Sequence, residues 1–120
     1  MPAPDPGPEK IYRDKLAQGR FEIQKCAACG SHVFYPRVLC PECGASQLDW
    51  VRPSGIGTVY STTVVRRKPA DGGDYNVALI SLEEGVRMMS RVVGIPPDQV
   101  RIGQRVKSRV TDGLVEFVPA

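Results

Sequence analysis

Residues 21–50 read FEIQKCAACGSHVFYPRVLCPECGASQLDW. Within them Cys26-Ala-Ala-Cys29-Gly30 and Cys40-Pro-Glu-Cys43-Gly44 form two C-x-x-C pairs, with ten residues between Cys29 and Cys40. Each pair offers two thiolates to one side of an ion, and a hairpin between the pairs brings them together, as tetrahedral zinc requires. The glycine after each second cysteine allows a positive φ, which turns nearby amides toward the sulfurs. A segment of about 30 residues buries too little surface to fold unaided, so the metal supplies much of its stability. The reading is one structural zinc ion held by Cys26, Cys29, Cys40 and Cys43. Its rivals are a pair of disulfides, a redox-active C-x-x-C and an iron site of rubredoxin type. Four sulfurs also close the coordination sphere and leave no position for substrate, which argues against metal catalysis. His32, the single histidine, stands in the hairpin with the ligand set already complete and reads as a surface residue.

Upstream, EKIYRDKLAQ (9–18) places Tyr12 and Leu16 four apart on one helical face, and Gly19 follows as a stop. Phe21 and Ile23 then alternate with Glu22 and Gln24, a half-buried strand leading into Cys26. Downstream from Gly55 the cysteines end and period-two apolar runs begin. These are TVYSTTVVRR (58–67), YNVALISLE (75–83), VRMMSRVV (86–93), QRVKSRVTD (104–112) and LVEFV (114–118). KPADGGD, Glu83-Glu84-Gly85 and Asp112-Gly113 between them are turn material, and the longer GIPPDQVRIG has room for a helical turn. Five short strands with the longer connection between the third and fourth suit a five-stranded OB-fold barrel, and a small sandwich fits nearly as well. The fold class expected is mainly β: a short N-terminal helix, a four-cysteine rubredoxin-like zinc ribbon, then the barrel. The corresponding division is a disordered lead-in over 1–8, the helix over 9–20, the ribbon over 21–52 and the barrel over 53–120.

Composition excludes several alternatives. Gly and Pro supply 12 and 11 of the 120 residues, and no stretch free of both exceeds 11 residues. Helical bundles, coiled coils and membrane-spanning helices of about 20 apolar residues need longer uninterrupted runs. Hydrophobic residues make up 42% of the chain, too many for a disordered protein. The net charge is +3; four thiolates with one zinc ion would bring it to about +1. That is far from the strongly basic footprint of a protein that grips nucleic acid by its phosphates. The Pro-rich MPAPDPGPEK lacks the apolar core of a signal peptide, so the expected location is the reducing cytoplasm, where disulfides are disfavoured.

No catalytic constellation emerges. Glu83-Glu84 reads as a solvated hairpin tip, and Met88-Met89 as core packing. Arg105, Lys107 and Arg109 share one face of the fourth strand, and Arg66-Arg67-Lys68 opens a Gly-rich loop. Either group could meet phosphates, or simply cover a solvated barrel face. Phe34-Tyr35-Pro36-Arg37 sets aromatic and cationic groups at the ribbon tip, as packing or as a binding surface. Trp50, just before the Arg52-Pro53-Ser54-Gly55 junction, is expected to pack the ribbon against the barrel.

QKCAACGSHVFYPRVLCPECG (24–44), LDWVRPSGIGTVYSTTVV (48–65) and VALISLEEGVRMMSRVVG (77–94) together resemble a family. It is the acyl-CoA-associated zinc-ribbon and OB-fold family long known as domain of unknown function thirty-five. The resemblance covers roughly residues 10–118 and includes the order of parts; Lys25 stands where members often carry Arg. It implies a non-catalytic zinc-binding accessory subunit that associates with an acyl-CoA-processing enzyme, a thiolase-like aldolase or a hydratase, of thiolase or hot-dog fold. Such a subunit would brace the enzyme and help hold or channel the CoA-linked substrate, with no membrane attachment. Phe34, Tyr35, Arg37, Arg66 and Arg67 are then candidates for contacting a CoA thioester at the interface, or the partner itself. The alternative is a module binding single-stranded nucleic acid, against which stand the small net charge and the few barrel aromatics, Tyr60, Tyr75 and Phe117.

Overall fold

The computed structural model describes residues 7–120. The expected disordered lead-in therefore falls largely outside the described residues. Helix α1 (Pro8–Ala17) starts one residue earlier than its apolar pattern suggested, because proline near a helix start has no amide hydrogen to leave unsatisfied. Lys10–Asp14 (2.8 Å) and Arg13–Glu9 are paired one turn apart on its solvent side, while Tyr12 and Leu16 are buried. Gly19, at φ 79°, turns the chain out of the helix.

The ribbon is a three-stranded antiparallel sheet of β1 (Ile23–Cys26), β2 (His32–Val33) and β3 (Leu48–Val51), with β1 in the centre. Its register pairs Gln24 with Val33 on one side and with Trp50 on the other. The five expected strands downstream are all present. They are β4 (Ile56–Val65), β5 (Tyr75–Leu82), β6 (Arg87–Ser90), β7 (Arg105–Thr111) and β8 (Leu114–Pro119), in the sheet order β6-β5-β4-β7-β8. Asp112 (φ 51°) and Gly113 (φ 76°) form the turn between β7 and β8, the positive-φ pair a two-residue hairpin requires. One-turn 3₁₀ segments occupy both longer connections, at Pro69–Asp71 and Pro97–Gln99.

No ladder closes the barrel. Its edges, β6 and β8, meet through one parallel bridge, Val92 with Phe117, and the backbone bonds Phe117 N–H to Arg91 O (2.9 Å) and Val93 N–H to Phe117 O (2.8 Å). The Ser90 hydroxyl adds a bond to Val115 O (2.8 Å). Pairing stops there because Pro96, Pro97 and Pro119 offer no amide hydrogens. β6 is shorter than its sequence run, ending at Ser90 rather than Val93, because the backbone of Arg91–Val93 bonds instead to Phe117 and to the Asn76 side chain.

Barrel and ribbon share one core. Tyr12, Leu16, Phe21 and Ile23 belong to the same buried cluster as Val59, Ile80, Val106 and Phe117. Trp50 packs against that cluster half-buried, with the Lys15 ammonium 5.7 Å above its ring. A second, smaller cluster of Cys26, Cys40 and Val33 lies in the ribbon.

Candidate metal centre

Each C-x-x-C pair lies in a turn built the same way. The amide of Gly30 donates to Cys26 O (2.8 Å) and that of Gly44 to Cys40 O (2.8 Å), and both glycines adopt φ 78°. Returning bonds close each turn, from Cys26 N–H to Ser31 O (2.9 Å) and from Cys40 N–H to Ala45 O (2.8 Å). Two like turns thus face one another, each presenting one buried cysteine (Cys26, Cys40) and one exposed cysteine (Cys29, Cys43).

The four Sγ atoms lie within 4.8 Å of one another, with Cys26–Cys43 at 3.6 Å and Cys29–Cys40 at 3.7 Å. Sulfurs about 2.3 Å from a central tetrahedral ion stand roughly 3.8 Å apart, so the set fits zinc. No two sulfurs are at the bonding distance of a disulfide, about 2.05 Å. The electrostatics fit as well. Hydrogen bonds from the Ser31 hydroxyl and amide hold the Cys29 thiol down to about 6. The Ala45 amide lowers the Cys43 thiol, but hydrogen bonding with Cys26, desolvation and contacts with Cys29 and Cys40 outweigh it and push it up to about 12. Four thiolates so close cannot all stay charged beside one another, and a dication removes that conflict. This is the one cluster of its kind among the described residues, and it is the ligand set of one structural zinc.

The other candidate residues are dispersed. Phe34 packs half-buried on the common core, and its ring meets Tyr12 and Tyr35 edge to face at 5.6 Å. Burial, and after it the charge of the nearby Tyr35 phenolate, push the Tyr12 hydroxyl up to about 12. Tyr35, Arg37, Val38 and Leu39 are exposed on the loop before the second knuckle. That loop is clamped by Gln24, whose amide donates to Arg37 O (2.8 Å) and accepts from Arg37 N–H (2.7 Å). Arg66 and Arg67 lie after the other end of β4 and do not join this group. Arg66 pairs with Asp74 (2.6 Å), and Arg67 lies over the Tyr75 ring (4.3 Å) and donates to Gly73 O (3.0 Å). The Gly-rich loop is thus laced shut by its own arginines.

On β7 the three cations do share a face, but Arg105 pairs with Glu83 (3.1 Å) and Arg109 with Glu116 (3.4 Å). Two readings need correction. Glu84 is half-buried and accepts from the Ser54 amide (2.8 Å), because the β5–β6 turn folds against the ribbon–barrel junction instead of projecting into water. Met88 is core, whereas Met89 is 70% exposed, as strand alternation dictates for adjacent residues. Sequence reasoning also missed Gln24, Glu116 and Asn76. Asn76 accepts from Val92 N–H (3.0 Å) and donates to the Thr62 hydroxyl (2.7 Å), tying the seam to β4. Only Asn76, in register with the buried Ala78, Ile80 and Leu82 of β5, leaves a local signal of its own, a polar residue on the inward-facing side of a strand.

A closed four-sulfur ribbon sharing its core with a five-stranded OB-type sheet defines a two-part zinc-ribbon and OB-fold protein. The chain belongs to the ChsH2, or DUF35, family. It matches the family models for the "ChsH2, rubredoxin-like zinc ribbon domain" over residues 13–49 and the "ChsH2, C-terminal OB-fold domain" over residues 50–111. It is 33% identical over 104 residues to a "DUF35 domain-containing scaffold protein" of Methanothermobacter thermautotrophicus, covering 78% of each chain. It is 42% identical over 98 residues to a "Probable enoyl-CoA hydratase alpha subunit" of Thermomonospora curvata. That match takes in 80% of this chain but only 31% of the relative's length. Among solved structures it resembles a chain of "Ltp2-ChsH2(DUF35) aldolase", with TM-score 0.81, 34% identity and coverage of 99% and 98% of the two chains. No helix among the described residues is long and apolar enough to cross a membrane.

Proposed function

We propose that the chain is a non-catalytic, zinc-stapled accessory subunit of a cytoplasmic acyl-CoA-processing enzyme, an aldolase or hydratase of thiolase or hot-dog fold. The observation that carries this reading is the end-to-end likeness to a chain of the solved "Ltp2-ChsH2(DUF35) aldolase". The closed sulfur shell supports it, since the metal has no position left for substrate. The role is to brace the enzyme and help hold the CoA-linked substrate. Tyr35, Arg37, Val38 and Leu39, exposed together on a loop that Gln24 holds in shape, suit a partner contact, with Phe34 buttressing them from below. Arg66 and Arg67 serve a second contact in which the CoA thioester or the partner meets the closed loop after β4. A nucleic-acid role is weaker, because two of the three β7 cations are already paired with carboxylates.

Affinity purification of the tagged chain from its native host, followed by mass spectrometry, tests this. An acyl-CoA enzyme of thiolase or hot-dog fold is expected in stable complex, and the free chain should turn over no acyl-CoA. Recovery of ribosomes or RNA polymerase with no CoA enzyme would overturn it.

A further inference from the structure

A groove of about 590 Å³ lies away from the metal centre, where the exit of α1, the ribbon stem and β7 meet. Arg20, Arg52, Lys107 and Arg109 line it, and Glu22 is the one carboxylate among the lining residues. Glu22 already faces Lys15 (3.4 Å) and Arg20 (3.7 Å), while Arg109 is engaged by Glu116. Arg52 and Lys107 are exposed and have no acidic partner within 4.0 Å among the described residues. A chain with a net charge of only +3 therefore gathers surplus positive charge in one concavity. Phe21 and Val110 contribute apolar wall, which focuses the field of the cations.

The floor of the groove is kept open by a glycine. Gly55 has φ +82°, and a Cβ there would come within 2.7 Å of the Ser108 hydroxyl. The same glycine's carbonyl accepts from the Ser108 amide (2.7 Å), locking β7 beneath the groove.

We propose that this groove binds the phosphate groups of a phosphorylated small molecule, with Arg52 and Lys107 as the principal contacts and Arg20 and Arg109 flanking them. An arginine fork and a lysine point charge are the usual complement of phosphate oxygens. The size lies within the range of small-ligand sites, about 300–1,000 Å³. A nucleic-acid strand would instead need a run of unpaired cations along the sheet, and there Arg105 and Arg66 are both neutralised. Coenzyme A, with its diphosphate and 3′-phosphate, belongs to this ligand class. The assignment to CoA rests on the proposed function; the phosphate site does not.

The test is an amide NMR titration of the zinc-loaded chain with inorganic pyrophosphate and, separately, with CoA. Saturable shifts are expected at Gly55, Ser108 and their neighbours for both ligands. The double variant Arg52→Gln/Lys107→Gln should weaken both at least about tenfold, a loss of about 1.4 kcal/mol, and Lys10→Gln, on the solvent side of α1 and outside the groove, should weaken neither. Pyrophosphate binding without CoA binding supports the phosphate site and removes CoA as its ligand. Three results would overturn the site: no saturable shift with either ligand, an equal loss in Lys10→Gln, or tighter, steeply salt-dependent binding of a single-stranded oligonucleotide. Should the enzyme partner co-purify while the groove stays silent, only this inference falls.

Discussion

Glu116 is 5% exposed on β8, and its neighbour Phe117 is fully buried, so consecutive residues on one strand are covered on opposite faces. Burial alone would raise the Glu116 carboxyl. Hydrogen bonds from Thr111 and Arg91, and the charges of Arg91 and Arg109, win and hold it below its ordinary value. A carboxyl depressed in the folded state adds stability above its unfolded pKa and loses it as pH falls through the folded one. Glu116→Gln is therefore expected to lower stability by about 1–3 kcal/mol at neutral pH. In denaturant titrations, the gap to wild type should shrink below about pH 4.5, the ordinary value, as the wild-type carboxyl takes up its proton. A gap that widens in acid would refute the ion-pair account. At the metal, Cys26→Ser replaces a fully buried ligand. It is expected to abolish stoichiometric zinc by elemental analysis and to unfold the ribbon, because three sulfurs and a hydroxyl no longer match the donor set.

Among the elements, β4 carries the most constraint. It pairs with β5 from Gly57 to Val65, bends at a bulge between Val59 and Ser61, and pairs with β7 only over Ile56–Thr58. Gly57 sits in that doubly paired stretch with an ordinary backbone conformation. A Cβ there would lie 2.7 Å from Ile80 Cγ2 and 2.9 Å from Ser81 O. The methyl branch can rotate away but the carbonyl cannot, so Gly57→Ala is expected to cost about 1–3 kcal/mol, read as a lowered thermal midpoint. Gln24 plays the corresponding part in the ribbon. Gln24→Ala should leave zinc content intact while speeding hydrogen exchange at the Arg37 amide, which would lose its acceptor. Unchanged exchange at Arg37 would show that the loop is held by something else. These elements also mark what was legible beforehand. The cysteines announce their turns through spacing, and β4–β8 announce themselves through period two, because both signals are local. Gln24 meets Arg37 13 residues on, Ser54 meets Glu84 at 30, and Arg91 meets Glu116 at 25. No local pattern encodes partners at such separations. For the same reason, cations that looked free in the sequence at Arg66, Arg105 and Arg109 turn out to be paired, and the groove between elements could not be read at all.

Across the whole molecule, the question is whether ribbon and barrel melt as two units or one. The ribbon has only a small cluster of its own around Cys26, Cys40 and Val33, while its stem, Phe21 and Ile23, lies in the barrel's core beside Tyr12 and Leu16. The half-buried Lys15–Glu22 pair and the Lys15–Trp50 contact tie α1 to the ribbon over the same ground. If zinc holds the ribbon and the ribbon supplies part of the barrel's core, removing zinc must expose apolar surface in both. Chelation is therefore expected to shift one cooperative transition to lower temperature, with Trp50 fluorescence and barrel circular dichroism moving together. A barrel transition that stays put while Trp50 alone changes would mean the shared core contributes little. Nor should rising salt mimic chelation, because the shared core is apolar and the Lys15–Glu22 pair is largely shielded from water, at 19% and 18% exposure. Metal binding at one end would then set the stability of surfaces on β7 and at the groove, which no sulfur touches.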